Sequence, residues 1–453
     1  MQPVPKHILS KSTFMYGCQC PKRLWLHKFM PEVRDEEEEA QTAIFQQGTN
    51  VGLLAQQLFP GGVDASPENY FSYQQSVADT ARYISEGHTI IYEAAFQFDG
   101  ILCAVDILVK KDNKWFAYEV KSSCSIKEPY VKDAALQYYV ISNAGLALED
   151  IFIVHLNSGY IRKGELEINK LFTPGSVLEM VLELQPFIAA KASELKKVLA
   201  MKKAPSIEIG SQCYNPYDCD FYGFCSKGLE DEEPEHDEAL INKEAILGFT
   251  NNLQYPLYFM DFESWMAAVP EYDGHWPYRQ VNFQYSVHVQ QEPGEALQHH
   301  EYLAEGTHST QQEFIENLLS VLGHTGSIVV YNQAFENTRL RELKEEFPHL
   351  EAAISKVQER IVDLMTPFRR KFYYLPEMKG SYSIKYVLPA VVPELSYESL
   401  SINNGGDASA AFYNLKHEKD AAKITEVRNA LLEYCGLDTM AMVKILENLK
   451  SLI

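Results

Sequence analysis

No run of apolar residues in this 453-residue chain is long enough to span a bilayer, and the opening MQPVPKHILSKS has no apolar signal-peptide core. Neither a membrane nor a secreted protein is expected, and the reading is cytoplasmic. Positive charge is scarce: 40 Lys and Arg stand against 62 Asp and Glu, a formal charge of −22. Such a balance disfavours loose, unspecific coating of DNA while leaving room for a local basic groove. Internal repeats and long low-complexity tracts are also missing. Eight cysteines are present, but not in the C-x₂₋₄-C pairs that mark structural zinc.

What is there is a globular composition, 46% hydrophobic, in a chain too long for one ordinary core. The clearest break is LEDEEPEHDE, residues 229–238, a run of acids that reads as a solvated linker. A second acidic run, Asp35 to Glu39, reads as a surface loop or an exposed helix start. The expected division is a first domain over 1–228, a linker and connecting helix over 229–250, and a second domain over 251–453.

Five of the cysteines cluster. GCQCPKRLWL supplies Cys18 and Cys20, and QCYNPYDCDFYGFC supplies Cys213, Cys219 and Cys225 in a loop rich in Pro, Asn, Asp and Gly. These make poor core and good ligands, and a reducing compartment disfavours disulfides. One thiolate from the start of a domain and three from its end suit an iron–sulfur cluster that clasps the ends, with zinc as the alternative. Cys103, Cys124 and Cys435 lie in apolar contexts and read as inert buried thiols.

Between the halves of that clasp, TIIYEAAFQFDGILCAVDILVKKDNKWFAYEVKSS reads as three strands with turns at Phe98-Asp99-Gly100 and Lys111-Asp112-Asn113. Glu119 and Lys121 share a face by the period of two, and an antiparallel neighbour brings Asp106 alongside. Two acids to hold a divalent cation and a lysine to offset phosphate charge are what phosphodiester hydrolysis needs; a cross-strand salt bridge is the plainer explanation.

Asp106, then Glu119-Val120-Lys121, then Gln137 on a following helix, framed by one early and three late cysteines, resembles the PD-(D/E)XK nucleases of the RecB type. Within them it is similar to the iron–sulfur branch that includes CRISPR-associated and AddB-like nucleases. The resemblance covers about residues 10–228 and implies a restriction-endonuclease-like fold. It makes Asp106, Glu119 and Lys121 the metal and catalytic residues, with Gln137 in support. It makes Cys20, Cys213, Cys219 and Cys225 the ligands of a 4Fe-4S cluster, with Cys18 as the alternative to Cys20. Two departures stand out: position 141 is Ile where the family often has Tyr, and FQQGTNVGLLAQQLF offers Gln47 where many members have a histidine ligand.

In the second half, YPLYFMDFESW ends an apolar strand with Asp261 and Glu263 on one face. Like charges so placed take up a proton or share a hard cation such as Mg²⁺ or Mn²⁺. Downstream, EFIENLLSVLG reads as a helix, SIVVYNQAF as a strand, and NTRLRELKEEF as the next helix. Glu336 sits just past that strand, Asp363 in ERIVDLMTPF, and Tyr434 and Asp438 four apart on a helix. These residues resemble the DnaQ-like DEDD exonucleases of RNase H-like fold, in the subtype with tyrosine before the last acid, over roughly residues 252–450.

That resemblance implies metal ligation by Asp261, Glu263, Glu336 and Asp438, with Asp363 as a substitute or accessory acid and Tyr434 positioning a water. The family's N-x₂-F-D appears as Asn332-Gln333-Ala334-Phe335-Glu336, one methylene longer at its acid. Lys379, Ser381 and Lys385 are candidates for phosphate contact or simply a solvated loop.

The expectation is thus a mixed α/β protein with two nuclease sites loaded with Mg²⁺ or Mn²⁺, acting on DNA, chiefly single-stranded ends. The first family commonly degrades single strands from the 5′ end, and the second degrades 3′ to 5′. The alternatives are an RNA exonuclease and a nucleic-acid-binding scaffold with one or both sites inactive.

Overall fold

The computed structural model describes residues 8–35, 48–69, 72–227, 238–306, 309–397 and 399–453. Glu36 to Glu39, Gln47 and all but the last residue of the 229–238 acidic run lie outside them. The protein is mixed α/β. Its described residues fall into two compact units: one contains 8–227 together with Ala267–Tyr278, the other 238–266 and Arg279–Ile453. The sequence reading placed 267–278 with the second half; they group instead with the first.

The first unit is built on a seven-stranded sheet. Its strands are β1 (Leu9–Ser10), β2 (Val63–Asp64), β3 (Ile90–Phe98), β4 (Ile101–Lys111), β5 (Lys114–Lys121), β6 (Leu148–Leu156) and β7 (Phe172–Ser176), in the order β2-β3-β4-β5-β6-β7 with β1 beside β4. β3, β4 and β5 form two antiparallel hairpins. Their two-residue loops, Asp99-Gly100 and Asp112-Asn113, have positive φ throughout, the backbone twist that matches right-twisted strands. β5 and β6 run parallel, joined through helix α4 (Glu128–Asn143).

Helices α1 (Lys11–Gln19), α2 (Pro21–Phe29), α3 (Tyr73–Glu86) and α5 (Leu178–Leu199) complete the unit's main frame. Ser10 and Thr13 close a capping box that starts α1, and Pro21 opens α2. Along β4, Cys103 and Val105 join a core with Phe14, Leu136 and Leu195, while Ile107 and Val109 join a second core with Val154 and Leu156. Ala268 belongs to that second core. The same excursion gives Arg162 two carbonyl acceptors, Pro270 O at 3.1 Å and Glu271 O at 2.7 Å, and Tyr278 donates to Ser122 O.

The second unit has a five-stranded sheet and a two-stranded ribbon. The ribbon pairs β8 (Leu240–Ile241) with β14 (Tyr373–Tyr374). The sheet holds β9 (Leu257–Met266), β10 (Gln280–Gln290), β11 (Gln298–Leu303), β12 (Ser327–Val330) and β13 (Ile361–Asp363), in the order β11-β10-β9-β12-β13. β9 is antiparallel to β10 and parallel to β12, which is parallel to β13, so the C-terminal ends of β9, β12 and β13 lie along one sheet edge.

Tyr258, Met260 and Phe262 pack on one face with α6 (Gln311–Val321), α7 (Gln333–Glu346) and α8 (Glu351–Gln358). Leu257 and Phe259 pack on the other with Ala441, Ile445 and Leu449 of helix α10 (Ala421–Ser451). α9 (Gly405–Leu415) precedes α10, capped by Asn404, whose side chain accepts from Asp407 N. The strand expected over SIVVYNQAF is shorter than its apolar pattern suggests. It stops at Val330, Asn332 turns the chain with φ 73°, and α7 begins at Gln333, which places Glu336 in a first helical turn.

Candidate functional site

In the first unit, the β4–β5 register pairs Ile107 with Tyr118 and thereby sets Asp106 beside Glu119. The Asp106 carboxylate accepts from Val120 N, and Lys121 Nζ lies 2.8 Å from Glu119 Oε1. Three residues absent from the sequence reading complete the cluster. Lys11 of α1 places Nζ 2.7 Å from the same Glu119 oxygen, and Asp133 of α4 accepts from Lys121. Gln137, fully buried one turn after Asp133, donates to Asp133 Oδ1 at 3.3 Å, so it reaches Lys121 through that aspartate. The third is Glu93 of β3, whose neighbours in the β3–β4 ladder, Tyr92 and Ala94, pair with Ile107 and Val105, leaving Glu93 opposite Asp106. Its φ is 53°, a strained value for a non-glycine residue.

Burial would push the Glu119 carboxyl up, but the two ammonium groups overcome it and hold the acid well below its ordinary range. Asp106 goes the other way, raised by burial and by the charge of Glu119. Burial also raises Glu93, to about 7, against the pull of Lys11 and with the charges of Glu119 and Asp64. Glu119 Oε2 is buried and has no hydrogen-bond partner. That orphaned oxygen, beside Asp106, fits the carboxylate donor set a hard cation takes.

Cys20, Cys213, Cys219 and Cys225 line one cavity together with Arg23 and Phe221. Protein contacts tie the two segments: Arg23 and Arg34 both pair with Asp220 at 2.7 Å, and Gln19 Nε2 donates to Gln212 O and Tyr217 O. Cys18, the alternative ligand, points elsewhere; burial near Lys191 and Lys132 of the α4–α5 side raises its thiol to about 11. Among the described residues no three sulfurs lie within 4.8 Å of one another.

In the second unit, the odd-numbered side of β9 that carries Leu257 and Phe259 ends in Asp261 and Glu263, facing α10. Asp261, Glu263 and Asp438 each offer a ligand oxygen, all within 4.8 Å, the group among the described residues that could hold a metal ion. Burial and the mutual charges of the three acids, with Glu336, raise Asp261 and Glu263 well above their ordinary values. Asp438 rises only to about 6, because Tyr397, Tyr434 and Lys385 oppose its burial. Tyr397 was not foreseen: its hydroxyl donates to Asp438 Oδ1 at 2.6 Å. Cys435, read as inert, lies against Asp261, its Sγ 3.7 Å from Oδ2.

Glu336 and Asp363 stand outside the three-acid group. Glu336 is buried, with Oε2 unpartnered, and is raised to about 8 chiefly by that burial. Asp363 Oδ1 accepts from Asn332 N at 3.1 Å and Met365 N at 3.0 Å, so it holds the turn that starts α7. The signals for the missed residues differ. Glu93 is an acid inside an apolar strand and Asp133 lies four before Gln137, both visible in sequence; Lys11 and Tyr397 meet their partners only through the tertiary fold.

Residues 258–383 match a domain of unknown function, DUF2779, a stretch that includes Asp261, Glu263, Glu336 and Asp363 but ends before Tyr397, Tyr434 and Asp438. The chain is also similar to an uncharacterized protein of Ureaplasma parvum serovar 3, with 26% identity over 244 residues, covering 48% of this chain and 34% of that protein. The match spans about a third of the length of that curated relative. Among the described residues no helix is long and apolar enough to cross a membrane.

Proposed function

We propose that this chain is a divalent-metal-dependent nuclease with two sites, acting on DNA and chiefly on single-stranded ends. The observation that carries the reading is the second-unit cluster: Asp261, Glu263 and Asp438, from a strand and a helix, converge within 4.8 Å in buried surroundings. Three acids held that close are stable as anions only with a cation among them. The resemblance to DEDD exonucleases of RNase H-like fold supports the same assignment, as the resemblance of Asp106, Glu119 and Lys121 to RecB-type nucleases of restriction-endonuclease-like fold does for the first unit.

Mg²⁺ or Mn²⁺, when bound, supplies positive charge to the phosphodiester oxygens. The chain's own contribution is placement. β9 holds Asp261 and Glu263 rigidly through its apolar body, α10 presents Asp438 and Tyr434 on one face, and Lys385 offers positive charge near Asp438. In the first unit Lys121 would face a phosphate while Glu119 and Asp106 hold the cation. The four cysteines around one cavity would bind a 4Fe-4S cluster as a clasp between α1–α2 and the 213–225 loop.

The test is Mn²⁺-dependent digestion of single-stranded DNA labelled at either end, comparing wild type with Asp106→Ala and Asp261→Ala. Each substitution is expected to remove a different product ladder. Loss of everything with Asp261→Ala alone would make the first unit a binding module, a reading favoured by Lys11 already neutralising Glu119. No cleavage of DNA, with cleavage of RNA of equal length, would reassign the substrate; no cleavage of either would sink the enzyme reading.

A further inference from the structure

Asp438 is approached by two phenols that come from different parts of the fold. Tyr434 lies one helical turn before it on α10 and supplies one hydrogen bond. Tyr397 comes from the segment that follows the helix Ile384–Val391 and donates to Oδ1 at 2.6 Å. The two rings sit 6.2 Å apart, inclined at 56°.

We propose that Tyr397 is the positioning residue that fixes Asp438 as a metal-holding carboxylate, and that Tyr434 is thereby released to serve the substrate side. This rests on the reading of the second site as metal-dependent. An aspartate has one methylene and can swing its carboxylate freely, so its direction must be set by a partner. Tyr434 rides on the same helix and moves with it. Tyr397 belongs to another segment, and its ring packs against the core that includes Phe259, Val387 and Leu446, so it ties Asp438 to the body that carries β9.

Charge points the same way. Asp438 faces Asp261 and Glu263 from β9, with Glu336 of α7 acting on both, and Lys385 as the opposing cation. A carboxylate repelled by two neighbouring acids needs a donor to fix its direction, and the Tyr397 hydroxyl supplies one. One carboxylate oxygen bonded to Tyr397 still leaves lone pairs for a cation. Both phenols bond Asp438, but only Tyr397 reaches it from another element, so Tyr434 can exchange its bond for the substrate side while Tyr397 holds the carboxylate.

The test uses the full chain carrying Asp106→Ala, so that Mn²⁺ binding seen by electron paramagnetic resonance reports the second site. Tyr397→Phe is expected to raise the Mn²⁺ dissociation constant about tenfold, as loss of a hydrogen bond to a metal-holding carboxylate does, with excess Mn²⁺ restoring most of the turnover on single-stranded DNA. Tyr397→His, which keeps a ring and a donor, is expected to recover affinity. Tyr434→Phe is expected to lower turnover in a way that Mn²⁺ does not restore. Wild-type affinity in Tyr397→Phe, or equal loss in Tyr397→Phe and Tyr397→His, overturns the proposal. If Asp438→Ala also leaves Mn²⁺ affinity intact, the metal reading itself fails; if Asp438→Ala removes it while Tyr397→Phe does not, only the role of Tyr397 falls.

Discussion

Lys11 Nζ lies 2.7 Å from Glu119 Oε1, so a residue of the first helix neutralises a carboxylate 108 positions further on. The Glu119 carboxyl is held low and the Lys11 ammonium high. The acid's contribution to stability is present above its unfolded value of about 4.3 and is lost as pH falls. The lysine's is present below about 10.4 and is lost as pH rises. Lys11→Met is therefore expected to destabilise the first unit near pH 7 by about 2 kcal/mol, below the 3–5 kcal/mol of a fully broken buried pair because Lys121 remains. Denaturant unfolding at pH 7 and at pH 3 checks this; an equal loss at both would refute the ion-pair account.

Glu93 behaves in the opposite sense. Its carboxyl is raised to about 7, so the folded state binds its proton more tightly than the unfolded state does, and wild-type stability falls as pH rises from about 4.3 towards 7. In the presence of chelator, Glu93→Gln is expected to gain stability over wild type by a margin that widens across that interval. Glu93→Gly adds relief of the positive φ, worth on the order of 1 kcal/mol. A pH-independent difference between wild type and Glu93→Gln would contradict the burial of this acid.

Protons and divalent ions compete for Asp438. Raised to about 6, it is expected to give the metal-free second unit added stability as pH falls through 6, and to weaken Mn²⁺ binding over the same range. Calorimetric Mn²⁺ titrations at pH 5 and pH 7.5 check the second half; affinity unaltered between them would rule Asp438 out as a ligand.

For the clasp, anaerobically purified wild type is expected to be brown. Cys20→Ser and Cys213→Ala should lose the colour and unfold at lower temperature, while Cys18→Ser should keep it. Colour lost in Cys18→Ser and kept in Cys20→Ser would reverse the assignment, and a colourless, zinc-loaded wild type would remove the cluster.

A packing prediction is independent of function. Gly326 sits at φ 88° just before β12, and a β-carbon there would collide with the Pro256 carbonyl oxygen at the start of β9. Gly326→Ala is expected to cost the second unit about 3 kcal/mol or more, read from its unfolding midpoint.

Much of the local structure was legible. The β3–β4–β5 hairpins begin and end where Asp99-Gly100 and Asp112-Asn113 demand positive φ, and the alternation of β9 puts Asp261 and Glu263 on one face. What escaped was set by distance in the chain. Lys11 and Tyr397 carry no local pattern, since their meaning comes from partners 108 and 41 residues away. The strand expected over SIVVYNQAF was overextended because its apolar pattern does not reveal that Asp363 Oδ1 captures Asn332 N and turns the chain early. Asp363, expected as an accessory acid, gives Oδ1 to that turn and keeps a buried Oδ2 without a hydrogen-bond partner.

The excursion 267–278 bears on how the protein is born. Arg162 waits for Pro270 and Glu271, and Ser122 for Tyr278, yet between these partners the ribosome must first make the whole of β9. An emerging chain therefore cannot finish its N-terminal half before starting the other; the last bonds of the first unit close only after the strand bearing Asp261 has left the exit tunnel.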